Sequence, residues 1–421
     1  MDIPSGKKAL SIFTIILLIV NYKFFYLFAL PGTLGQITNE LVYTFFSLIF
    51  FGIALVISKK HNLFLFNNFI ILLFVFLLFE AIFTIFTYQE PFSSSFKEII
   101  PFLSLFSYYV FSLLCQIDLD EFLKILIIVS TIAVIIAIVE LILYTFFGLS
   151  IFKFYSFNYG VQTDQFSQLF NNMRNGRQRL LISNLVDFSA VISIGCLFDK
   201  NIKISKAILI SNIVLTIFYE FYVSQTRSMI MYILIIGVLV FVFSRKGFSK
   251  IGGITVLIFG AAFAILEVYN KFLSLMLGDY SYYHRLEELS FYIDRFKTNP
   301  ILGIGLLGNK PIFVEDYYLV HGPEINSPMS YTDVGVVGML GKYGLFGLIF
   351  SIYLPLKTWK LNSKYSNVLL MSIFFFFCFS LINLSLFDSE RLPVLAVSIA
   401  IIDGIVKKES RIKIERKKDA N

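Results

Sequence analysis

Apolar residues in this chain come in about a dozen long runs separated by mostly short polar connections, and that alternation predicts its architecture. The runs lie near 9–30, 41–58, 63–87, 99–115, 122–148, 180–198, 205–223, 228–243, 251–267, 333–355, 366–386 and 391–406. Each is roughly 17 to 26 residues long, the length of helix that crosses a bilayer. The pattern predicts an all-α, polytopic integral membrane protein of about 12 transmembrane helices.

Lysine and arginine set the orientation, because cytoplasmic loops keep positive charge and short translocated loops do not. With the amino end inside, the inner segments hold Lys7, Lys8, Lys59, Lys60, Lys124, the cluster Lys200 to Lys206, Arg245 to Lys250, Lys357 to Lys364 and the tail from Lys407 to Lys418. About three-fifths of the basic residues fall there. The predicted organisation is five spans and an outer loop over 1–179, four spans over 180–267, a large extracytoplasmic loop over 268–332, three spans over 333–406 and a basic cytoplasmic tail over 407–421. Both termini are placed in the cytoplasm.

A composition of 57% hydrophobic and 15% charged residues argues against a soluble multidomain protein. The net charge of +7 reads as a topology signal, so no nucleic-acid partner is expected; the basic tail is a solvated anchor for anionic headgroups. The first run follows two lysines as a signal peptide would, yet no small-residue cleavage pattern follows, and it is read as the first membrane helix. Cys115, Cys196 and Cys378 fall in spans or at their ends and are expected to be packing residues.

Three outer features break the pattern of short connections: the polar and aromatic segment 150–178, ending near Arg174, Arg177 and Arg179; the turn Ser224-Gln225-Thr226-Arg227; and the loop 268–332. A loop that long in a compact fold is usually functional. Within it Leu286, Leu289, Ile293 and Phe296 recur at helical spacing, which predicts an amphipathic helix at the membrane interface. Gly303, Gly305 and Gly308 then repeat the spacing of a dinucleotide fingerprint. That motif requires a preceding strand in a cytosolic βαβ unit, so the glycines are read instead as tightly turning backbone beside bound substrate.

Ionisable residues inside the runs cost at least about 2.5 kcal/mol each unless paired or wet. Lys23, Glu80, Glu140, Asp187, Glu220, Glu267 and Lys342 all fall in the outer halves of their spans, which predicts a polar vestibule open to the outer face. Each taken singly is as well explained by a structural ion pair or a snorkelling side chain. Arg179, Arg227 and Arg285 lie at headgroup level, where guanidinium forks match phosphate oxygens, so a lipid-linked phosphate or pyrophosphate is the expected guest.

The run from Arg285 through TNPILGIG to Gly305, then His321, then YTDVGVVGMLGKYGLFG over 331–347, resembles the bacterial O-antigen polymerase and ligase superfamily. The SQTRS turn and the stretch GRQRLLISNLVDFSA over 176–190 resemble two further motifs of that group. The likeness is strongest over residues 175–350; the first five spans match only in hydropathy. It implies a multi-span, GT-C-like glycosyltransferase of the cytoplasmic membrane, independent of metal and cofactor, that uses undecaprenyl-pyrophosphate-linked glycans at the outer face. An acceptor hydroxyl would attack the anomeric carbon with inversion.

By the same resemblance Arg227 and Arg179 hold the pyrophosphate, Arg285 matches the arginine of the loop helix, and His321 orients or deprotonates the acceptor. Arg177, Asp333, Gly303 and Gly305 are the further expected substrate-side residues. His321 departs from the family pattern, being followed by Gly322, Pro323 and Glu324, so His284 and Asp333 are rivals for its role. The reading is a polysaccharide polymerase of capsule, O-antigen or exopolysaccharide type. Expected partners are the lipid-linked glycans, membrane lipids, a flippase and a chain-length regulator. A ligase that transfers finished glycan to another acceptor is the alternative within the group. A lipid-linked oligosaccharide flippase is the alternative outside it, and it predicts internal repeats and charges through the membrane depth, which the chain lacks.

Overall fold

A computed structural model describes residues 3–24, 39–58, 64–89, 91–149, 151, 156–158, 161–163, 179–244, 280–307 and 330–419. Its helices are α1 (Ile3–Asn21), α2 (Asn39–Ile57), α3 (Asn67–Tyr88), the short α4 (Phe92–Lys97), α5 (Ser107–Ile117), α6 (Leu119–Phe147), α7 (Leu185–Phe198), α8 (Lys206–Tyr222), α9 (Arg227–Ser244), α10 (Tyr280–Thr298), α11 (Gly335–Tyr365), α12 (Val368–Ile382) and α13 (Leu392–Asp419). Turns of 3-10 helix, Ile100–Phe106 and Tyr331–Val334, lead into α5 and α11. Five stretches are long and apolar enough to cross a membrane: Asn39–Ile57, Asn67–Tyr88, Phe92–Ile117, Leu119–Phe147 and Tyr331–Tyr365. Leu185–Phe198, Ser228–Ser244 and Val368–Ile382 are shorter apolar helices. Helices α1, α8 and α13 coincide with three more of the expected spans, and the expected span 251–267 lies outside the described residues.

The structure departs from the sequence reading in four places. The span expected at 99–115 is half 3-10 helix, over Ile100–Phe106, with Pro101 in its first turn, where the missing N–H has no helical partner to lose. The span expected at 333–355 runs on to Tyr365 across a kink. The span expected at 391–406 runs on through the basic tail, as α13, to Asp419. Finally, the all-α expectation meets a small exception in the segment between α6 and α7, where β1 (Ser156–Asn158) pairs antiparallel with β2 (Val161–Thr163), Ser156 opposite Thr163.

Two helices form the axis of the bundle. Every residue of α5 from Ser107 to Gln116 is buried, as are those of α13 from Leu392 to Val406. Gly404 lets them touch: a Cβ there would lie 2.7 Å from the Cys115 Cβ. Between them sits Asp403, fully buried, whose carboxyl accepts from the hydroxyls of Tyr108 at 2.5 Å and Ser112 at 2.7 Å and from the Leu65 N–H at 3.3 Å. The outer faces of α2, α3, α6 and α8 present exposed apolar side chains such as Phe45, Leu72, Ile135 and Val214, as lipid contact requires.

The two ends of the bundle differ. At the end where α1 begins, charges are tied to one another: Lys7 to Asp118 at 2.8 Å and to Glu121, Lys408 to Asp120 at 3.0 Å, and Asn367 to both Asp199 and Glu409. The Asp118 carboxyl, partly desolvated, is nonetheless pulled below its usual range by Lys7 and by the N–H groups of Glu121 and Asp120. At the opposite end the helix termini splay around a cavity.

The kink in α11 gives the loop after α10 its place. Gly344 adopts φ 59°, ψ −148°, so the local helical ladder is broken. The released groups find partners in residues 300–305: Ile304 N–H donates to the Gly341 carbonyl at 3.0 Å, Gly305 N–H to that of Lys342 at 2.9 Å, and Leu345 N–H to that of Pro300 at 2.9 Å. A Cβ on Gly344 would stand 2.2 Å from the Ile301 carbonyl oxygen. Gly344→Ala is expected to cost roughly 1–3 kcal/mol through this clash and the positive φ. The drop in thermal midpoint in detergent would show it. Gly52→Ala, where a Cβ meets nothing within 4 Å, is the control; equal midpoints for the two variants would refute the account.

Candidate functional site

The cavity is assembled from segments far apart in sequence, and one tyrosine stitches the first of them in place. Before α7 the chain runs without helix from Arg179 to Ser183. The buried Tyr219 hydroxyl, near the end of α8, donates to the Leu180 carbonyl at 3.0 Å and accepts from the Ile182 N–H at 3.1 Å. The Leu180 N–H donates to the Val223 carbonyl at 3.1 Å. The Arg179 guanidinium is thereby laid against the next turn, donating to the Ser224 carbonyl at 2.6 Å and to the Thr226 hydroxyl at 3.2 Å. Gln225 holds that turn with a left-handed φ of 55°. The described part of the first motif, 179–190, and the second motif, 224–228, read separately in the sequence and form one structural unit.

This unit forms one side of a cavity of about 420 Å³, a volume within the range of small-ligand sites. Lys23, Arg179, Arg285 and Arg391 all line it. Among its carboxyl groups Asp187 and Glu220 are buried and lie in hydrogen-bonding contact, while Asp333, Glu40 and Glu390 line it nearer the helix ends. Neutral polar side chains from α2 and the 3-10 turn before α5 line it as well.

Arg391 organises the side of the cavity formed by the start of α13. It donates to the carbonyls of Thr332 at 3.2 Å and Ser385 at 3.4 Å, and its guanidinium lies 3.5 Å from Asp388 and 3.7 Å from Asp333. Burial pushes the Asp388 carboxyl up, against the opposing pull of Arg391. Asp333 is thus tied to a helix that begins 59 residues later in sequence.

Helix α10 brings Arg285 to the cavity, but it docks on a face other than the one expected. Phe291, Tyr292 and Glu288 are its buried residues, while Leu286 and Ile293 of the expected apolar stripe are exposed. The reason is Gly341: a Cβ there would sit 2.5 Å from the Tyr292 ring, so only glycine admits this approach. The exposed stripe remains free to meet the membrane interface. Glu288 accepts the Ser330 N–H at 2.8 Å. Burial raises its carboxyl to about 7, with Asp333 adding to the shift and the Ser330 N–H and Arg285 opposing it.

Of the residues predicted from sequence, Arg179, Arg285 and Asp333 line the one cavity. Arg227 opens α9 between Thr226 and Ser228, which both line it; its side chain lies outside the described residues, as does that of His284. His321, Arg177, Arg174 and Gly308 lie outside the described residues altogether. Gly303 and Gly305 do not line the cavity. They hold positive φ of 65° and 73° because a Cβ would strike the Gly341 carbonyl at 2.5 Å or the Thr84 hydroxyl at 2.3 Å, a packing task in place of the expected contact with substrate.

The expected vestibule charges divide as well. Lys23, Asp187 and Glu220 line the cavity. Glu140 instead accepts the Ile151 N–H at 2.7 Å, Lys342 pairs with Glu98 at 3.2 Å and stacks over Tyr331, and Glu80 lies under Gly305. Glu267 is outside the described residues. Arg391 was not expected from the sequence, although the signal was there: like Arg179 and Arg227, it is an arginine at the start of an apolar run. Among the described residues no cluster of His, Cys, Asp and Glu has the makings of a metal site.

Residues 213–352 match the family model described as O-antigen ligase, and over that stretch the resemblance carried by the motifs is confirmed. No curated protein matches the chain.

The Glu288 carboxyl yields a pH prediction. In the docked helix it keeps its proton to about 7, whereas the undocked group releases it near 4.5. Its contribution to docking is therefore complete below about 4.5 and lost as pH rises through about 7. Hydrogen exchange along α10 should quicken between pH 5 and 8 beyond the intrinsic rate, and Glu288→Gln should flatten that extra dependence. An equally steep dependence in the variant would contradict it.

Proposed function

We propose that the cavity is the active site of a polysaccharide polymerase that joins polyprenyl-pyrophosphate-linked glycan units at the outer face of a bacterial cytoplasmic membrane. The observation that carries this reading is the gathering of Arg179, Arg285, Arg391 and Lys23 around one cavity, in a chain whose residues 213–352 match a glycan-transferring family. Such cations suit a guest with a doubly phosphorylated leaving group, because fixed guanidinium groups stabilise charge as it develops.

In the proposed reaction an acceptor sugar hydroxyl attacks the anomeric carbon of the donor glycan from the face opposite the pyrophosphate. The new O–C bond forms as the old C–O bond to phosphorus breaks. The electron pair departs on undecaprenyl pyrophosphate beside the arginines, and the hydroxyl proton passes to a base. His321 is the base carried by the family likeness; Asp333 is the described side chain in the cavity that suits the task. Arg391, which touches Asp333, fixes where that carboxylate points. The flippase and chain-length regulator stay proposed partners of the same reading.

The family description favours a second reading, a ligase passing finished glycan to a different acceptor through the same cavity. One assay separates the two. Purified protein in nanodiscs is supplied with lipid-pyrophosphate repeat units and products are sized on a gel. A ladder of multiples supports the polymerase; transfer that occurs only when a foreign acceptor is added supports the ligase; absence of both, with intact lipid and folded protein, overturns the transferase reading.

In that assay Arg179→Ala and Arg227→Ala are each expected to reduce turnover by roughly 10²–10³-fold, the cost of one preorganised charge-stabilising donor. Asp333→Asn should abolish extension if Asp333 is the base, and His321→Ala if His321 is. A full-length ladder from either arginine variant would refute the pyrophosphate role.

A further inference from the structure

The cavity has a second wall that the cationic chemistry leaves unused. It comes from the first turns of α2 and from the 3-10 turn before α5, outside the stretch that matches the family. Asn39, Thr44 and Ser104 line it and are 8%, 4% and 3% exposed. The Asn39 Oδ1, Thr44 Oγ1 and Ser104 Oγ atoms are buried with no hydrogen-bond partner among the described residues. A buried polar atom left unsatisfied costs about 1–3 kcal/mol, and three of them on residues that line one cavity point to a guest that supplies the missing bonds.

The chemistry of this wall is specific. An amide and two hydroxyls give and accept hydrogen bonds, and with the Glu40 carboxylate on the same turn of α2 they are poor for a phosphate and suited to sugar hydroxyls. The wall is also stiff. The Tyr43 hydroxyl donates to Ser107 at 3.0 Å, the Ser107 hydroxyl donates to the Ser104 carbonyl at 2.7 Å, and the Ser47 hydroxyl donates to the Tyr43 carbonyl at 2.7 Å. The face is therefore held by a second layer of bonds before anything arrives. It shares one cavity with Arg179 and Arg285, so a group bound here lies beside a group bound there.

We propose that Asn39, Thr44 and Ser104 form a saccharide subsite that holds a neutral sugar ring of the glycan next to the pyrophosphate-binding arginines. The subsite rests on the transferase reading for its purpose and on its own geometry for its existence. It assigns sugar selectivity to the N-terminal helices and leaving-group binding to Arg179, Arg285 and their neighbours.

The test uses the full chain in nanodiscs, with the methyl glycosides of glucose, galactose and N-acetylglucosamine as probes in saturation-transfer NMR and inorganic pyrophosphate as the probe of the cationic wall. Wild-type protein should give saturation transfer to at least one glycoside. The near-isosteric double variant Thr44→Val/Ser104→Ala should weaken that glycoside at least tenfold and leave pyrophosphate affinity within twofold. Asn39→Leu serves as a second variant should the double variant lower the thermal midpoint. Three results would overturn the subsite: no signal from any of the three glycosides in wild type, unchanged glycoside affinity in a variant that keeps the wild-type midpoint, or equal loss of glycoside and pyrophosphate. Transfer activity on lipid-linked repeat units is scored alongside. Activity without a glycoside signal sinks the subsite alone, and a glycoside signal without activity sinks the transferase reading alone.

Discussion

In a bundle this apolar, a buried polar group is costly unless it finds a partner within the protein or faces a wet cavity, and the placement of much else follows from that demand. Asp403 shows the first solution. Three donors from α5 and the segment before α3 close around its carboxyl, which locks α13 against α5 and gives the bundle its axis. The cavity end shows the second, where Asp187, Arg391, Asn39 and Thr44 line a shared space and each keeps a buried polar atom without a partner among the described residues. The contrast between the ends is the structural counterpart of the asymmetry in the chain: lysines tied to carboxylates at one end, arginines around a cavity at the other.

The same demand explains the kinked helix. Breaking α11 at Gly344 releases backbone groups that lipid cannot satisfy, and residues 300–305 take them up. That exchange anchors the segment that follows α10, and with it the position of Arg285. A left-handed glycine in one helix and an arginine on another are coupled through three backbone hydrogen bonds, none of which involves a polar side chain.

Much of this was legible in the sequence because the signals are one-dimensional. Membrane-length apolar runs located helices at eleven of the twelve expected segments, since length and hydropathy are properties of a stretch alone. Arginines expected at headgroup level pointed to Arg179 and Arg285, and three of the seven intramembrane charges proved to be cavity residues. What stayed hidden depended on partners distant in the chain. Glu140 and Lys342 look the same as Asp187 in sequence, and only the N–H of Ile151 and the carboxylate of Glu98 reveal them as structural. The docked face of α10 was misread because hydropathy favours Leu286 and Ile293, whereas the fit of Tyr292 over Gly341 decides which face is buried. Gly303 and Gly305 were assigned to substrate for the same reason: a sequence shows that glycine is needed but not what comes close.

The division of the cavity also bears on why the family match covers only part of the chain. A transferase needs one constant chemistry, stabilising a departing pyrophosphate, and one variable chemistry, recognising the particular sugars joined. In the proposed reading the first falls to arginines on the approach to α7 and on α9, α10 and α13, two of them inside or beside the matched stretch. The second falls to side chains of α2 and the turn before α5, in helices whose likeness to the family is hydropathy alone. Constraint on such a wall comes from sugar shape, which differs from one glycan to the next, so matching spans with unmatched polar residues are what this division of labour produces. The cavity is then an interface between a part set by reaction chemistry and a part set by the substrate, held in register by Tyr219 on one side and by the contact of α5 with α13 on the other.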